Sequence, residues 1–292
     1  MRRPTAAQLV ARLRRIRVRP SALLAHGVAW GIGLAWLIPF LGLAMAAIRP
    51  IGEILFGWWD FQSFHPTLAN FAIAWDHDSY PMSEGLRNSF LVAIPSTLIP
   101  ILVGAMVGYG FARFRFPLRD YIFVSVVVLM AIPQQMVAVP LFRTMLAAGL
   151  VDTFQGLILV HSAWGIPWIL LFMRNFFQTL PAEVEEAARV DGAGDFKIFV
   201  KIVMPMALPA FAAIAVLQFM WVWNDFFFAQ ILMYSQDQLL ATQRVTRLAG
   251  QFYSPWDLMS AASIIVLIVP VALYAFLQRY YIRGMIGWTI KG

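Results

Sequence analysis

The sequence predicts an all-α membrane protein with six transmembrane helices, because its composition and the spacing of its charges exclude a soluble fold. Of the 292 residues, 61% are hydrophobic and 13% are charged, whereas soluble domains carry about 25% charged residues. Six intervals between consecutive charged residues are about 20 residues or longer, which is enough to cross the hydrocarbon core as a helix. Barrel strands would alternate in polarity, and these intervals do not.

The first predicted span covers about residues 21–48 and follows Arg17 and Arg19. It is longer than the roughly 7 to 15 apolar residues of a cleaved signal peptide and has no A-x-A-like exit, so we expect a retained helix. The other predicted spans cover about residues 88–112, 121–142, 153–173, 202–224 and 258–280. Prolines occur inside most of these spans, and each removes one helical hydrogen bond and can kink its helix.

The distribution of basic residues predicts the topology. Seventeen of the 22 Lys and Arg residues lie before Pro20, in 113–119, in 174–201 or after Gln278. Basic residues accumulate on the cytoplasmic side of membrane proteins, so we expect both termini inside and a multi-pass protein of the inner membrane. The leader at 1–19 alternates apolar residues with Arg, which is typical either of an amphipathic helix on the anionic leaflet or of a simple topology signal. The net charge of +7 therefore does not indicate nucleic acid binding.

The loop between the fourth and fifth predicted spans, residues 180–204, is too polar to cross a membrane and carries the signals of a short helix. Pro181 suits a first helical turn, and three glutamates at 183, 185 and 186 place negative charge near the positive end of the helix dipole. Glu185 and Arg189 stand at i and i+4, in the favourable order for an ion pair. We therefore expect a short surface helix in this loop.

Glycines predict where this helix ends, and alanines predict that one of its faces is shallow. Gly192 or Gly194 would end it, because glycine tolerates the left-handed backbone of a helix C-terminus. One face, by its i, i+3, i+4 and i+7 spacing, carries Val184, Ala187, Ala188 and Asp191. The two alanines make this face shallow, so that another surface can come close to it.

The same loop resembles the EAA loop of permeases in ATP-binding cassette importers, whose pattern is EAA-x3-G-x9-I-x-L-P. The matching residues are Glu186, Ala187, Ala188, Gly192, Ile202 and Pro205. Met204 stands where Leu is usual, which is a volume-conserving exchange. In that family the helix docks into a groove of a cytoplasmic ATPase and transmits its motion. The resemblance implies that the ATPase-coupling residues are Glu185, Glu186, Ala187, Ala188, Asp191, Gly192 and Ala193.

Five further segments resemble the carbohydrate subfamily, in particular the subunit related to the smaller maltose permease. They are LRNSF at 86–90, GYGFARFRFP at 108–117, IPQQMVAVPLF at 132–142, WNDFFFA at 223–229 and the terminal YYIRGMIGWTIKG. This similarity covers about residues 70–292. The ending departs from the usual GLTAGAVKG, because Ile286, Trp288 and Thr289 break its small-residue pattern.

The resemblance implies a type I importer permease domain over residues 20–292, together with a set of partners. These partners are a second homologous permease subunit, two cytoplasmic ATPase subunits, an external solute-binding protein, a sugar substrate and membrane lipid. The chain contains no Walker sequence, G-x4-G-K-[ST], so ATP and Mg²⁺ would bind to the ATPase and this chain would be neither an enzyme nor in need of its own cofactor. Cysteine is also absent, which excludes disulfides, thiolate nucleophiles and cysteine metal sites.

Sugars are usually held by planar polar side chains and aromatic faces, and such residues recur in the third to fifth spans. The predicted substrate path consists of Gln134, Gln135, His161, Trp164, Gln218, Trp221, Trp223, Asn224 and Asp225. A structural role is the alternative, since Trp gathers at membrane interfaces and Gln or His joins helices by hydrogen bonds.

The segment at 225–257 resembles the external loop that faces the solute-binding protein in maltose-type relatives. Four glutamines in it would contact the sugar or this partner, namely Gln236, Gln238, Gln243 and Gln251. In the alternative interpretation the segment only caps the helix bundle.

Other function classes fit less well. An intramembrane hydrolase needs a nucleophile with a base, or a metal, and neither G-x-S-x-G nor H-E-x-x-H occurs. A secondary transporter usually carries charged residues inside its spans, and the six long intervals contain none. A membrane scaffold without transport activity stays open. Within the importer class, the alternative substrate is a non-sugar solute such as glycerol phosphate or an oligosaccharide acid.

Overall fold

The computed structural model describes residues 20–250 and 253–286. The leader at 1–19, Gln251 and the last six residues of the terminal motif lie outside these ranges, so the predictions made for them stay predictions. Within the described ranges the chain forms helices, turns and loops and contains no β-strand.

The helices follow one another from the first span to the last. Up to residue 147 they are α1 (Pro20–Ala35), α2 (Ile38–Ala47), α3 (Ile51–Ile54), α4 (Ala69–Trp75), α5 (Met82–Arg113), α6 (Arg119–Leu129), a 3-10 turn (Gln134–Val137) and α7 (Ala138–Ala147). Beyond it they are α8 (Phe154–Thr179), α9 (Glu183–Val190), α10 (Asp195–Ile198), a π-helical turn (Phe199–Val203), α11 (Met204–Met206), α12 (Leu208–Trp223), α13 (Phe227–Leu232), a second 3-10 turn (Gln236–Gln238), α14 (Ala241–Arg247) and α15 (Trp256–Ile286).

Some of the helices are long and apolar enough to cross a membrane in one piece. Among the described residues these are Ser21–Ala47, Met82–Arg113, Phe154–Thr179 and Trp256–Gln278. Two further segments are pairs of helices, Arg119–Leu129 with Gln134–Ala147 and Asp195–Met206 with Leu208–Trp223, bent by 93° and 77°. The described chain thus has four helices that are each able to span a membrane, or six candidate spans if each bent pair counts as one. The two bent pairs overlap the predicted spans at 121–142 and 202–224, and a bend is what a proline inside a span can produce.

Proline explains both breaks. Pro133 and Pro209 have no backbone N–H, so the carbonyls of Leu129 and Pro205 lose the helical donor that a residue four positions later would supply. A proline does not break every helix, however. Pro95, Pro167 and Pro270 lie inside helices that continue.

Helices α5 and α8 form the most extensive helix pair of the bundle. Their close approach depends on two glycines in a G-x-x-x-G arrangement, the spacing that brings membrane helices together. A Cβ atom on Gly104 would lie 2.7 Å from Cγ2 of Ile169, and one on Gly108 would lie 3.0 Å from the backbone N of Arg174. The backbones of the two helices therefore come close at Gly108, and the Ile169 side chain packs against the backbone at Gly104.

Helix α5 runs the length of the bundle and defines its two ends. At one end, which we call the loop end, Arg113 contacts the polar loop that contains α9. At the other, which we call the capped end, the first turn of α5 contacts residues 225–250, which we call the cap. A buried apolar cluster lies near each end. The cluster near the loop end surrounds Tyr109 and Phe199, and the cluster near the capped end surrounds Trp223 and Phe228.

Two glutamines stabilise the cap, Gln243 by contacts within it and Gln236 by a contact with the rest of the chain. The fully buried Gln243 donates through Nε2 to the carbonyl of Ala229 at 3.2 Å, and its Oε1 accepts from the N–H of Leu240 at 3.1 Å. The Nε2 of Gln236 donates to the carbonyl of Ser79. These contacts favour the interpretation in which this segment caps the bundle.

The first span is largely uncovered by the rest of the described chain. Residues 23–41 are all exposed, and the side chains of Trp30 and Trp36 are 70% and 73% exposed. Only α2, in the second half of the span, packs against α15. The apolar surface of α1 is therefore left for lipid or for another chain.

Candidate functional site

The polar loop folds as the sequence predicts, into a short helix that ends at a glycine. Helix α9 covers Glu183–Val190, and its first turn contains all three predicted glutamates. Gly192 has φ +80°, the left-handed conformation, and its N–H donates to the carbonyl of Arg189 at 3.0 Å. The N–H of Ala193 donates to the carbonyl of Ala188 at 2.9 Å. Of the two glycines predicted to end the helix, Gly192 and Gly194, it is Gly192 that follows the last turn in the left-handed conformation.

Glu185 points into the protein and binds the end of α5. Its Oε2 accepts a hydrogen bond from the Tyr109 hydroxyl, and its Oε1 accepts one from Nε of Arg113, both at 2.8 Å. The predicted ion pair between Glu185 and Arg189 is wrong, because Glu185 faces inward and Arg189 instead pairs with Asp195 at 3.1 Å. One of the seven predicted coupling residues is therefore turned away from solvent.

The opposite side of α9 is an exposed and shallow surface. It contains the predicted coupling residues Glu186, Ala187, Asp191 and Gly192, whereas Ala188 and Ala193 are half-buried against the apolar cluster around Tyr109 and Phe199. An apolar side chain extends this surface, Val190 at 88% exposure. We call Val184, Glu186, Ala187, Val190, Asp191 and Gly192 the exposed face of α9. Its mixture of small, apolar and acidic groups suits contact with another protein.

An aromatic cluster lies directly behind α9. The Tyr109 ring packs against Phe177 of α8 and Phe199 of the π-helical turn, with ring centroids 5.8 and 5.0 Å apart. These three residues bring together the ends of the spans that enter and leave the polar loop and the end of α5. Helix α9 is thus seated on a junction of three spans.

Two residues of the predicted substrate path are buried and hydrogen-bonded inside the chain. Gln218 accepts from Nε1 of Trp168 at 2.9 Å and donates to the carbonyl of Ser96 at 3.1 Å. The Nε1 of Trp223 donates to the carbonyl of Val266 at 3.3 Å. In this conformation both side chains join helices, which is the structural role weighed as the alternative.

His161 and Asp225 meet between α8 and the start of the cap. Oδ2 of Asp225 lies 3.6 Å from Nε2 of His161 and accepts hydrogen bonds from the N–H groups of Phe228 and Ala229, each at 3.1 Å. Burial raises the pKa of Asp225 from its ordinary value of 3.8 to about 6, although these N–H donors oppose the shift. The ring of Trp221 stands perpendicular to that of His161, with centroids 5.3 Å apart.

The remaining path residues lie at accessible positions. Gln134 is half-buried and Gln135 is exposed in the 3-10 turn at the bend of the third span, and Asn224 is exposed and donates to the carbonyl of Met220 at 2.7 Å. A cavity of about 380 Å³ opens beside this bend. It is lined by Leu129, Met130, Ile132, Val137, Ala163, Trp164, Pro167 and Trp168. Of the predicted path residues, Trp164 lines this cavity.

Sequence reasoning missed several residues of the site. Tyr109, Arg113, Ser96 and Trp168 received no role, although the first two lie in the GYGFARFRFP segment. Among the described residues, no group of three or more His, Asp or Glu side chains is arranged to hold a metal ion.

Comparison with known proteins finds one family model and several relatives that are all described as components of transport systems. The family model described as "Binding-protein-dependent transport system inner membrane component" matches residues 84–287. A probable ABC transporter permease protein of Pyrococcus horikoshii is 52% identical over 269 residues, which is 92% of this chain and 98% of that protein. The osmoprotective compounds uptake permease protein GgtD of Synechocystis sp. is 37% identical, with 89% of each chain covered. The diacetylchitobiose uptake system permease protein NgcG of Streptomyces coelicolor is 33% identical, covering 89% of this chain and 86% of that protein.

Solved structures share the fold. A chain in the crystal structure of a bacterial ABC transporter involved in the import of the acidic polysaccharide alginate superposes with a TM-score of 0.75. It is 19% identical, and the match covers 96% of this chain and all of that chain. At this identity the likeness concerns the fold alone.

Proposed function

The chain belongs to the family of binding-protein-dependent transport system inner membrane components, and from this membership we propose that it is a permease subunit of an ATP-driven importer for a sugar or sugar-like solute. The observation that carries the proposal is the exposed face of α9, seated on a junction of three spans. A membrane scaffold without transport activity would not need a shallow protein-binding face that is fixed to its spanning helices.

The proposed role of the exposed face is to dock a cytoplasmic ATPase. Ala187 and Gly192 leave room for a close approach, while Val190, at 88% exposure, supplies apolar surface to bury. Glu186 and Asp191 add charge at the rim. The ATPase binds and hydrolyses ATP with Mg²⁺, and this chain carries the resulting movement to its spans.

A second permease subunit would complete the path. The exposed surface of α1 supports this part of the proposal, since residues 23–41 have almost no cover from their own chain. Solute from an external binding protein would enter between the two permeases when ATP closes the ATPase pair and leave to the cytoplasm after hydrolysis. Both termini are proposed to lie in the cytoplasm, on the side of the ATPase.

A sugar is the proposed substrate class. A relative that is named for diacetylchitobiose uptake supports it, as do the aromatic and amide side chains near the bend of the third span, Gln134, Gln135 and Trp164. No specific observation favours glycerol phosphate or an oligosaccharide acid.

The test is co-purification and uptake. The tagged chain, expressed with its neighbouring ATPase, permease and binding protein, should retain the ATPase in detergent and support uptake of the solute that the binding protein retains. Ala187→Arg should abolish both while the chain still inserts into the membrane. The matched control is Gln62→Arg, at an exposed site in the loop between α3 and α4, and it should behave as wild type. A wild-type chain that imports solute without any ATPase would overturn the proposal.

A further inference from the structure

We infer that Glu185, Tyr109 and Arg113 form a latch that fastens α9 to α5, so that movement of α9 passes directly to α5 and from there to the cap. The inference rests on the proposed function, in which an ATPase moves α9. It adds a specific route, because the covalent chain alone would connect α9 only to α8 and to the fifth span.

The contacts of the latch use both oxygens of one carboxylate. Tyr109 donates to Oε2 and Arg113 to Oε1 of Glu185, both at 2.8 Å. Nη2 of the same guanidinium donates to the carbonyl of Leu180 at 3.0 Å, so Arg113 also holds the segment that leads into α9. Two protein segments separated by 72 residues are therefore joined by charge-assisted hydrogen bonds.

Burial makes this connection hard to break. The side chains of Glu185 and Arg113 are 3% and 13% exposed. If α9 moved away from α5, a buried carboxylate and a buried guanidinium would each lose a partner, which is strongly unfavourable. The arrangement that avoids this penalty is the one in which α9 and the end of α5 move together.

Helix α5 is suited to carry the movement across the membrane. It has 32 residues, and at 1.5 Å per residue it is about 48 Å long. Close packing at Gly104 and Gly108 holds it against α8. At its far end Glu84, in the first turn, accepts from Nη2 of Arg244 in the cap at 3.1 Å. One helix thus contacts both the seat of α9 and the cap at the opposite end of the bundle.

The test measures solute moved per ATP hydrolysed in proteoliposomes that contain the complete transporter. Glu185→Gln should retain ATPase binding and ATP hydrolysis but lower this ratio at least about fivefold, the lower bound of typical coupling between sites. Tyr109→Phe removes a single hydroxyl and should lower the ratio by less. The double variant should be no worse than Glu185→Gln, because both changes act in one network.

Controls and a second measurement complete the test. Glu183→Gln, at an exposed site on the same helix, and Tyr121→Phe, at an exposed tyrosine, should couple as wild type. Because the chain has no cysteine, spin labels at Glu183→Cys and Met106→Cys report the distance between α9 and α5. ATP should leave this distance distribution unchanged in the wild-type background and broaden it when Glu185→Gln is added.

The outcomes separate the latch from the proposed function. A wild-type chain that fails to bind an ATPase would overturn the proposed function. If the wild type is coupled, the latch is overturned either by variants with an unchanged ratio of transport to hydrolysis or by variants that no longer bind the ATPase.

Discussion

Arg244 of the cap is fully buried and donates through Nη2 to Oε2 of Glu84, at 3.1 Å, in the first turn of the second span. The same guanidinium donates to the carbonyls of Leu239, Pro81 and Gln236 at 2.9 to 3.2 Å. The Arg244 side chain therefore joins parts of the cap to each other and also joins the cap to the start of α5. Most of its donors serve backbone carbonyls, so the carboxylate contributes only part of the connection.

This arrangement predicts unequal effects of the two partners. Arg244→Met removes the donor from several carbonyls at once and should destabilise the protein by about 2–4 kcal/mol. Glu84→Gln alters a side chain that is 55% exposed and should change stability by less than about 1 kcal/mol. Unfolding in detergent, followed by tryptophan fluorescence, measures both. Equal losses would show that the ion pair, and not the set of carbonyls, holds the cap.

Two glycines of α5 provide a matched test of helix packing. A Cβ atom on Gly108 would lie 3.0 Å from the backbone N of Arg174, whereas one on Gly110 would meet its nearest atom, in Phe114, at 4.0 Å. Gly108→Ala should therefore destabilise the α5–α8 pair by about 1–3 kcal/mol. Gly110→Ala should be neutral or stabilise the helix by up to about 1 kcal/mol. Chemical unfolding in mixed micelles checks the order, and the reverse order would contradict the packing described.

Gly192 and Gly194 differ in backbone conformation although neither is crowded. Gly192 has φ +80° and Gly194 has φ −72°. Alanine at 192 would occupy a left-handed conformation at a cost of about 1–2 kcal/mol, so Gly192→Ala should shift the end of α9 and weaken ATPase binding. Gly194→Ala should leave binding near the wild-type value. Titration of the reconstituted permease with purified ATPase measures this, and identical affinities would show that the end of α9 is not part of the docking surface.

Asp225 predicts a pH dependence with a definite sign. Its pKa in the folded protein, about 6, is above the ordinary value of 3.8 because of burial. The folded state therefore holds a proton that the unfolded state releases, and this contribution to stability is full below about pH 4 and is lost as pH rises through about 6. The thermal midpoint of Asp225→Asn should fall less than that of the wild type between these pH values. Parallel pH profiles for the two proteins would contradict the assignment.

Local signals in the sequence were sufficient to predict the short helix in the polar loop. The two nearby glycines, Gly192 and Gly194, predicted where α9 ends, and the structure shows that Gly192 takes the left-handed conformation. The glutamates of the first turn follow from the helix dipole. The partner of Glu185 could not be predicted in this way, because Tyr109 lies 76 residues away and only the folded bundle brings it near. The i+4 rule favoured Arg189, but tertiary contact replaced that local pair.

For the spans, too, the sequence predicted the positions but not the exact bounds or the breaks. Charge-free intervals located them, but α5 begins at Met82 and α8 ends at Thr179, beyond the predicted bounds, because helices continue through charged residues such as Arg87 and Arg174 at their ends. The sequence indicated possible kinks at many prolines. Which proline breaks a helix depends on whether neighbouring helices support the interrupted turn, and a single sequence does not contain that information.

The exposed face of α9 is most directly tested with single cysteines, for which the cysteine-free chain is a suitable background. Ala187→Cys should be inaccessible to an impermeant maleimide in intact cells, become labelled in inside-out vesicles, and form a cross-link to the ATPase that prevents labelling. Gln62→Cys, in the loop between α3 and α4, should show the opposite accessibility and no cross-link. Labelling of Ala187→Cys from outside the cell, or an active transporter in which it never cross-links to the ATPase, would contradict the account.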